Sequence, residues 1–366
     1  MNRQSIYVIY GNDGKRMVKE LLHAVKIENE ITGDMLIGLK PNMVVAKPPE
    51  SGATTSTDMV CGIIEYLKDC GFNRIIILEG SWVGDSTQRA FKVCGYDRIS
   101  REYGVELFDT KKDGFKAYDA GGMKINVCDK VMEVDYLINL PVLKGHCQTE
   151  ITCALKNMKG CIPDSEKRRF HTMGLHRPIA YLNKIVKPSF NIVDGLIGDL
   201  DFEEGGNPVE MNRIIAGKDP VLIDAYAAEL MGYDPYDIGY IKLAEELGIG
   251  CADLKKAEIV ELNKDTAVQK KFTDAGRKVK RLSQWIIEQD ACSACYGSLV
   301  HALARLDEQG LLGRLREKVY IGQGFKGKAI EGIGVGKCTG GFSRCVKGCP
   351  PKAKDILEFL KEYVNA

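Results

Sequence analysis

Five cysteines near the carboxyl end of this 366-residue chain constrain its fold more than any other feature. In chain order they are Cys292, Cys295, Cys338, Cys345 and Cys349. The first two form a C-x-x-C pair, and the last stands directly before Pro350. A 4Fe–4S cluster needs four thiolates that converge on one small cage, and a Cys-Pro step is a frequent end to such a set. The segment must therefore fold so that thiols distant in sequence meet.

We predict one 4Fe–4S cluster in this segment. Its expected ligands are Cys292, Cys295, Cys338 and Cys349, with Cys345 as the alternative to Cys338. Spacing alone does not choose between these two. Structural zinc is the alternative metal, since C-x-x-C with a distant C-x-x-x-C pair can also build a tetrahedral sulfur site. Disulfides are a poor fit, because the chain is long enough for its own core and shows no secretory signal.

The rest of the composition is that of an ordinary globular protein. Hydrophobic residues make up 45% of the chain, and the net charge is +1. That balance argues against a nucleic-acid binder driven by bulk charge. No apolar run approaches the length of a membrane span. Thirteen cysteines without a signal peptide fit a reducing compartment. We expect a cytoplasmic protein from an organism that lives without oxygen. We expect neither nucleic acid nor a membrane as its partner.

The first half of the chain alternates between predicted strands and helices. Near-continuous apolar runs at 35–39, 75–78, 136–140 and 190–194 are typical of buried strands in a parallel sheet. Capping signals predict helices after Ser56 and after Asp219, the second with Pro220 at its first position. The expected fold class is α/β, with a mostly parallel sheet, helices on both faces, and a small C-terminal α+β iron–sulfur domain.

This pattern predicts three parts: an α/β domain at 1–262, a basic linker or helix at 263–285, and a cysteine-rich iron–sulfur domain at 286–366. We expect helices near 299–307 and 352–364 in the last part. The basic residues of the middle part are Lys270, Lys271, Arg277, Lys278, Lys280 and Arg281. We interpret them as a solvated surface, with a docking surface for an acidic, ferredoxin-like redox partner as the alternative.

A glycine-rich motif lies between the C-x-x-C pair and the later cysteines. Residues 322–327 match G-x-G-x-x-G after a short predicted strand at 318–321. A dinucleotide site requires a helix to begin at this motif. Further glycines follow at once, so we expect no long helix and no nucleotide site there. We interpret these glycines as backbone packed around the cluster.

Polar residues collect at the ends of the predicted strands, where open parallel sheets bind their ligands. The candidate acid–base residues are His146, Lys144, Glu79 and Asp194. The candidate ligand-binding residues are Lys40, Asn42, Thr152, Lys156, Asn157, Lys159 and His171. Taken singly, each is better explained as a surface charge or as a side chain that fills a hydrogen-bonding position in the core. As a group at one sheet edge they predict a basic cleft for a small phosphorylated or carboxylated ligand.

Three further cysteines, Cys147, Cys153 and Cys161, lie in the same stretch. Their spacing matches no strong metal-binding pattern. We interpret them as buried thiols, with a second metal site as the alternative.

These motifs resemble those of domain of unknown function family 362, over most of residues 35–250. The segments that carry the resemblance are 40–42, 52–55, 79–80, 139–146, 152–160, 194–195 and 216–220. Cys292-Ser-Ala-Cys295 and Gly348-Cys349-Pro350-Pro351 look like the iron–sulfur extension found in part of that family. The resemblance implies the α/β fold and the cluster, and it leaves the substrate open.

The functional expectation is an iron–sulfur protein that transfers electrons or carries out the redox conversion of a small anionic ligand. One alternative is a non-redox iron–sulfur enzyme, with an open iron site for desulfuration or hydration. The other is a module that carries a cluster to another protein.

Overall fold

The computed structural model describes residues 2–264, 271–272 and 276–365. The chain divides into two compact units by its internal contacts. The first, which we call the α/β unit, takes in residues 1–168 and 176–274. The second, the C-terminal unit, takes in residues 169–175 and 275–366. No helix within the described ranges combines the length and the apolar character needed to cross a bilayer.

The strands of the α/β unit alternate with helices along most of its length. The strands are β1 Ser5–Tyr10, β2 Ile37–Pro41, β3 Ile75–Glu79, β4 Glu106–Asp109, β5 Phe115–Asp119, β6 Lys124–Cys128, β7 Tyr136–Leu140, β8 Lys144–His146, β9 Glu150–Thr152, β10 Phe190–Asp199, β11 Pro208–Gly217 and β12 Glu258–Glu261. The helices of this region are α1 Gly14–Val25, α2 Thr57–Asp69, α3 Thr87–Val93, α4 Tyr96–Tyr103, α5 Asp129–Glu133, α6 Ala154–Asn157, α7 Asp164–Thr172, α8 His176–Ile185, α9 Pro220–Leu230 and α10 Gly239–Glu246.

Among the described residues, eight of these strands form one large sheet in the order β12-β1-β11-β10-β7-β2-β3-β4. Strand β11 runs antiparallel to both of its neighbours, and the other pairings are parallel. The expected α/β class with a mostly parallel sheet is therefore confirmed. Every residue of β2, β3 and β7 is buried, which explains why these strands read as unbroken apolar runs.

The predicted strand positions hold, with shifts at two places. Strand β7 has the predicted bounds, whereas β2 begins two residues later than expected. Strand β10 runs beyond residue 194 to Asp199, because it pairs along its length with the antiparallel β11. That pairing adds a long strand that the apolar pattern did not indicate.

The helix signals also correspond to observed helices. Asp219 caps α9, since its carboxylate accepts hydrogen bonds from the N–H groups of Val221 and Leu222. Ser56 precedes α2 but caps it without a side-chain bond. Helices α1 and α2 pack closely at Gly62, where a Cβ would lie 2.6 Å from Val18 Cγ1. Their apolar faces join the main hydrophobic core of the sheet.

The C-terminal unit contains a small sheet of parallel strands. Its elements are α11 Arg277–Ser283, β13 Ile286–Glu288, α12 Ser293–Glu308, β14 Val319–Ile321, β15 Ile333–Val335, β16 Arg344–Val346 and α13 Ala353–Asn365. In the described chain the four strands pair in the order β13-β14-β15-β16. The glycine motif after β14 continues as a short 3-10 turn at Gln323–Phe325 rather than as a long helix.

Part of the basic segment forms helix α11, and Lys270 lies outside the described residues. Lys278 Nζ lies 2.9 Å from Glu308 Oε1, and Arg281 pairs with Asp307. Both acidic partners belong to α12. These contacts supply carboxylate partners for two of the cations that the docking hypothesis invoked.

Candidate functional site

The four expected cluster cysteines lie at one edge of the C-terminal sheet. Because β13, β15 and β16 are parallel, their carboxyl ends meet at the same edge. Cys292 follows β13, Cys338 follows β15 and Cys349 follows β16, each after a short turn. Cys295 is in the first turn of α12, which begins directly after Cys292. Residues far apart in sequence are thus brought to neighbouring loops.

Glycines make the turns at this edge possible. Gly336, with φ of 94°, and Gly348, with φ of 145°, adopt conformations that favour glycine. A Cβ on Gly348 would lie only 2.5 Å from Pro351 Cα. The loops are joined by their backbones, since the N–H of Lys337 donates to the carbonyl of Gly348 at 2.8 Å. The loop of Cys338 is therefore tied to the loop of Cys349.

The thiols at this edge influence one another electrostatically. A hydrogen bond from Cys295 lowers the pKa of Cys292 to about 7. The same bond, burial, and the charges of Cys292, Cys349 and Cys338 raise the pKa of Cys295. Burial raises the pKa of Cys338, and the Lys326 ammonium acts in the opposite direction on both Cys292 and Cys338. Four sulfur atoms and one cation therefore share one local field.

Cys345 has different neighbours. It lies within β16, opposite Gly334 of β15. Its Sγ is 3.5 Å from Thr339 Oγ1 and 3.6 Å from the carbonyl oxygen of Gly336. Cys345 thus lies within a strand, whereas Cys338 lies in a turn after one, and the choice of the fourth ligand stays a prediction.

The donor set fits an all-sulfur metal centre in kind. Over the described ranges, no three His, Cys, Asp or Glu side chains are already drawn together as closely as the ligands of a bound metal ion. Each of the thirteen cysteines, all of which are described, is a free thiol. Four free thiols on adjoining loops are the ligand type that a 4Fe–4S cluster or a structural zinc ion takes.

In the α/β unit, the ends of β2 and β3 carry a buried ion pair. Lys40 Nζ lies 2.7 Å from Glu79 Oε2. The backbone N–H groups of Met43 and Gly80 also donate to the Glu79 carboxylate, at 3.1 and 2.7 Å. Gly160 packs directly against the pair. With three donors in place, Glu79 is better suited to holding Lys40 than to exchanging protons with a ligand.

Asparagine side chains continue this network across the sheet. Asn42 Nδ2 donates to Asn157 Oδ1 at 2.8 Å, and Asn157 Nδ2 donates to Asn139 Oδ1 at 2.8 Å. Asn139 Nδ2 donates in turn to Asn191 Oδ1 at 2.9 Å. The register pairs Lys40 with Asn139 across β2 and β7, and Asn139 with Asn191 across β7 and β10. The sequence prediction included Asn42 and Asn157 but missed Asn139 and Asn191.

Among the residues of the expected cleft, Glu203 forms a bridge between His146 and Lys156. Glu203 Oε1 lies 3.2 Å from His146 Nε2, and Glu203 Oε2 accepts a hydrogen bond from Lys156 Nζ. Lys156 also donates to Thr152 Oγ1 at 3.0 Å. Burial raises the pKa of Glu203, but its contacts with His146 and Lys156 outweigh burial and hold that pKa well below its usual range. Glu203 is therefore an anion between two donors.

Backbone groups determine which nitrogen of His146 carries the proton. The N–H groups of Gln148 and Thr149 both donate to His146 Nδ1, each at 3.1 Å. Nδ1 is therefore an acceptor, and the proton of the neutral ring is on Nε2, which faces Glu203. Burial lowers the pKa of His146, with Glu203 acting against this. The ring thus donates from Nε2 even when it is neutral.

Sequence reasoning missed Glu203, which lies in the loop after β10. The Asp199 carboxylate anchors this loop by accepting hydrogen bonds from the backbone N–H groups of residues 201, 202 and 207, each at 2.9 Å. The local signal was an acidic and glycine-rich run at 199–206 directly after a strand. A second missed residue, Asp224 on α9, caps α6 by accepting from the N–H groups of Ala154 and Leu155.

Other lysines surround the bridge. Lys144 is fully buried, donates to Asn42 Oδ1 at 2.7 Å and to the carbonyl of Ala53, and has its pKa lowered to about 7 by burial. Burial and the charge of Lys156 lower the pKa of Lys159 to about 7. Lys167 donates to the carbonyl oxygens of Gly80 and Ser81 at 2.9 and 3.0 Å. Lys144 and Lys167 are buried and hydrogen-bonded within the chain, and the expected basic cleft stays a prediction.

One expected member, Asp194, lies elsewhere in the α/β unit. Asp194 accepts hydrogen bonds from the N–H groups of Ser56 and Leu196, at 2.7 and 3.0 Å, and burial raises its pKa to about 6. It lines a cavity of about 210 Å³ beside the acidic residues Glu50 and Asp58, away from the lysines. His171 belongs to the segment 169–175, which groups with the C-terminal unit.

The three cysteines of this stretch are not gathered as a metal site. Burial raises the pKa of Cys147 and Cys153 well above its usual range and that of Cys161 to about 12. Cys153 and Cys161 are buried, Cys147 is partly buried, and all three are protonated thiols at neutral pH.

Comparisons with known proteins bear on the α/β unit. A family model described as Domain of unknown function (DUF362) matches residues 37–229, more than half of the chain. A thylakoid-associated protein of Synechocystis sp. is 22% identical over 228 residues, which are 59% of this chain and 69% of that protein. The matched family segment contains the lysines, His146 and Glu203, and it ends before the C-terminal cysteines.

Proposed function

This chain belongs to DUF362, and from that premise we propose that it is an iron–sulfur protein that transfers electrons, or that uses them to convert a small anionic ligand held in the basic cleft. The observation that supports the proposal is the position of four cysteines on adjoining turns at one edge of the C-terminal sheet. The cleft in the family segment supports the second half of the proposal, since its lysines suit an anion.

The residues that would hold the cluster are Cys292, Cys295, Cys338 and Cys349. When bound, a 4Fe–4S cluster supplies one-electron transfer. Lys326 lies in the field of Cys292 and Cys338, and its charge favours their thiolate forms. Gly336 and Gly348 allow the two later loops to turn tightly beside one another. A structural zinc ion on the same thiols is the alternative metal.

In the cleft, the residues of this chain would bind and orient the ligand. Lys156 and the Nε2–H of His146 supply convergent donors, while Lys144 and Lys159 add positive charge nearby. The Lys40–Glu79 pair and the asparagine network hold the floor of the cleft in place. A lysine whose pKa lies at about 7 can also give or take a proton near neutral pH.

The test is purification without oxygen, followed by iron and sulfide analysis, visible absorption at about 400 nm and EPR of the reduced protein. We expect iron and sulfide in equal amounts. The matched variants are C338S and C345S. The first should lose most of its iron, and the second should keep it. Zinc in place of iron, or equal loss in both variants, would contradict the assignment.

The same two variants address a non-redox enzyme with an open iron site. Such a site leaves one iron without a protein thiolate. The grouping of four thiols supports full coordination, so spectroscopic ligand counting should find four sulfur ligands in the parent and in C345S. A ferredoxin-like protein is the proposed redox partner. A cytoplasmic location remains part of the proposal, because thirteen free thiols suit a reducing compartment.

A further inference from the structure

We propose that the ligand of the basic cleft is a carboxylate, and that Glu203 holds the place of that carboxylate in this structure. The inference rests on the ligand-binding half of the proposed function and is independent of iron. It names a substrate class for the cleft and assigns Glu203 as an internal occupant that the ligand displaces.

The geometry of the bridge is that of a bound carboxylate. One oxygen of Glu203 faces His146 Nε2 at 3.2 Å, and the other accepts from Lys156 Nζ. Two donors that meet the two oxygens of one planar group form a charge-assisted pair of hydrogen bonds. His146 keeps this donor direction because its Nδ1 is occupied by two backbone N–H groups. A ligand carboxylate needs the same two contacts.

The side chains of the bridge differ in burial, and the difference suits displacement of Glu203 by a ligand. The side chains of His146 and Lys156 are 1% and 4% exposed, whereas that of Glu203 is 17% exposed. The donors therefore form the closed end of the site, and the carboxylate approaches from the more open side. A ligand arriving from solvent would meet Glu203 before it met either donor.

The loop that supplies Glu203 is anchored on both sides of it. The Asp199 carboxylate binds the backbone N–H groups of residues 201, 202 and 207, and Lys47 Nζ binds the carbonyl oxygen of Glu204 at 2.8 Å. None of these bonds uses the Glu203 side chain. That side chain can therefore leave the bridge by a change of rotamer while the loop keeps its anchors.

The charges around the bridge require an anion when Glu203 leaves. Lys40 is paired with Glu79, and Lys167 binds backbone carbonyls and Asp164. Lys156 is nearly fully buried, and a buried ammonium without a counter-charge is strongly unfavourable. Only a group that brings negative charge and two acceptor oxygens replaces Glu203 at small cost. A carboxylate meets this demand with the same shape.

The experiment measures binding of acetate to the full-length protein by calorimetry, together with its thermal unfolding. We expect E203A to bind acetate at least about tenfold more tightly than the parent, because the internal competitor is gone. Acetate should also raise the Tm of E203A by more than it raises the Tm of the parent. E204A is the control from the same loop, and it should behave as the parent does.

Two further arms make the result decisive. Acetate binding should disappear when K156M is added to E203A. If E203A does not fold, E203Q replaces it, because this variant keeps the shape of the side chain and removes the negative charge that competes with acetate. Inorganic phosphate is the comparison anion. Binding of phosphate but not acetate would overturn the carboxylate assignment, and equal acetate affinity in E203A and the parent would show that Glu203 is a fixed structural partner. Both results are read without reference to iron, so they stand apart from the test of the cluster.

Discussion

Lys40 Nζ and Glu79 Oε2 lie 2.7 Å apart at the ends of two neighbouring strands, and neither side chain is more than 3% exposed. A buried pair of this kind is costly to break, because the remaining charge stays in an apolar surrounding. The pair is joined to the asparagine network, since Lys40 also contacts Asn157 Oδ1 at 3.5 Å. Its integrity therefore affects both the stability of the protein and the position of Asn157.

Removing one partner of this pair should destabilise the protein strongly. We expect E79A to lower the free energy of unfolding by about 3–5 kcal/mol, measured by urea denaturation. The control is E20A, which removes the exposed Arg16–Glu20 pair and should cost about 1 kcal/mol or less. Similar losses in both variants would show that burial of the Lys40–Glu79 pair carries no special weight.

Gly160 should tolerate no side chain. A Cβ there would lie 2.1 Å from Glu79 Oε1 and 2.5 Å from Lys40 Cε, so G160A must push the ion pair apart. We expect a loss of about 1–3 kcal/mol of unfolding free energy and a weaker anion affinity. Gly33 has no heavy atom within 4 Å of its Cβ position, so G33A is the matched control. An unchanged unfolding free energy in G160A would mean that the backbone around Gly160 can move away from the ion pair without cost.

Asp224 should make stability depend on pH between about 4 and 7. Burial raises its pKa from 3.8 to about 7, so in this range the folded state holds a proton that the unfolded chain has released. Its contribution is fully present below pH 3.8 and is lost as the pH rises through about 7. We expect urea denaturation of D224N at a series of pH values to show a shallower decline than the parent.

The same experiment contains its own check on cause. Asp194 has its pKa raised in the same direction, to about 6, so part of the decline should remain in D224N. The double variant D194N/D224N should be flatter still. An unchanged pH profile in D224N would show that Asp224 is ionised in the folded protein throughout this range.

Gly348 should be needed for metal incorporation. Its φ of 145° and the 2.5 Å approach of Pro351 Cα to a Cβ position mean that G348A must alter the turn that carries Cys349. We expect the variant to retain less than about half of the iron of the parent when purified without oxygen. G313A is the control, because nothing lies within 4 Å of a Cβ at Gly313. Full iron content in G348A would show that the turn at Gly348 is not needed for metal incorporation.

Local sequence was sufficient for much of the scaffold. The apolar run at 136–140 became β7 with unchanged bounds, because burial on both faces of a parallel strand leaves a pattern that needs no partner to be recognised. Asp219 and Pro220 marked the start of α9, since capping is a contact between near neighbours in the chain. The antiparallel β11 was missed, because its pairing with β10 depends on a partner strand rather than on its own composition.

The contacts among the residues of the expected cleft could not be predicted from the sequence. The types of residue at the strand ends were sufficient to predict a basic site. The hydrogen-bond partners of those residues could not be predicted from the sequence. Lys40, Asn139 and Asn191 meet because three strands share a register, and register is a property of the assembled sheet. Asp194 was predicted to end a strand, but it lies within β10, where its side chain accepts from backbone N–H groups and lines a cavity with Glu50 and Asp58.

The sequence alone determined the α/β class, the main apolar strands, the capped helices and the stock of thiols and lysines, since these follow from composition and near-neighbour contacts. The tertiary structure alone decided that Glu203 bridges His146 and Lys156, and that the loop of Cys338 is tied by its backbone to the loop of Cys349. Both outcomes depend on which loops meet at a sheet edge. That is set by strand order and direction through space, which no spacing along the chain records.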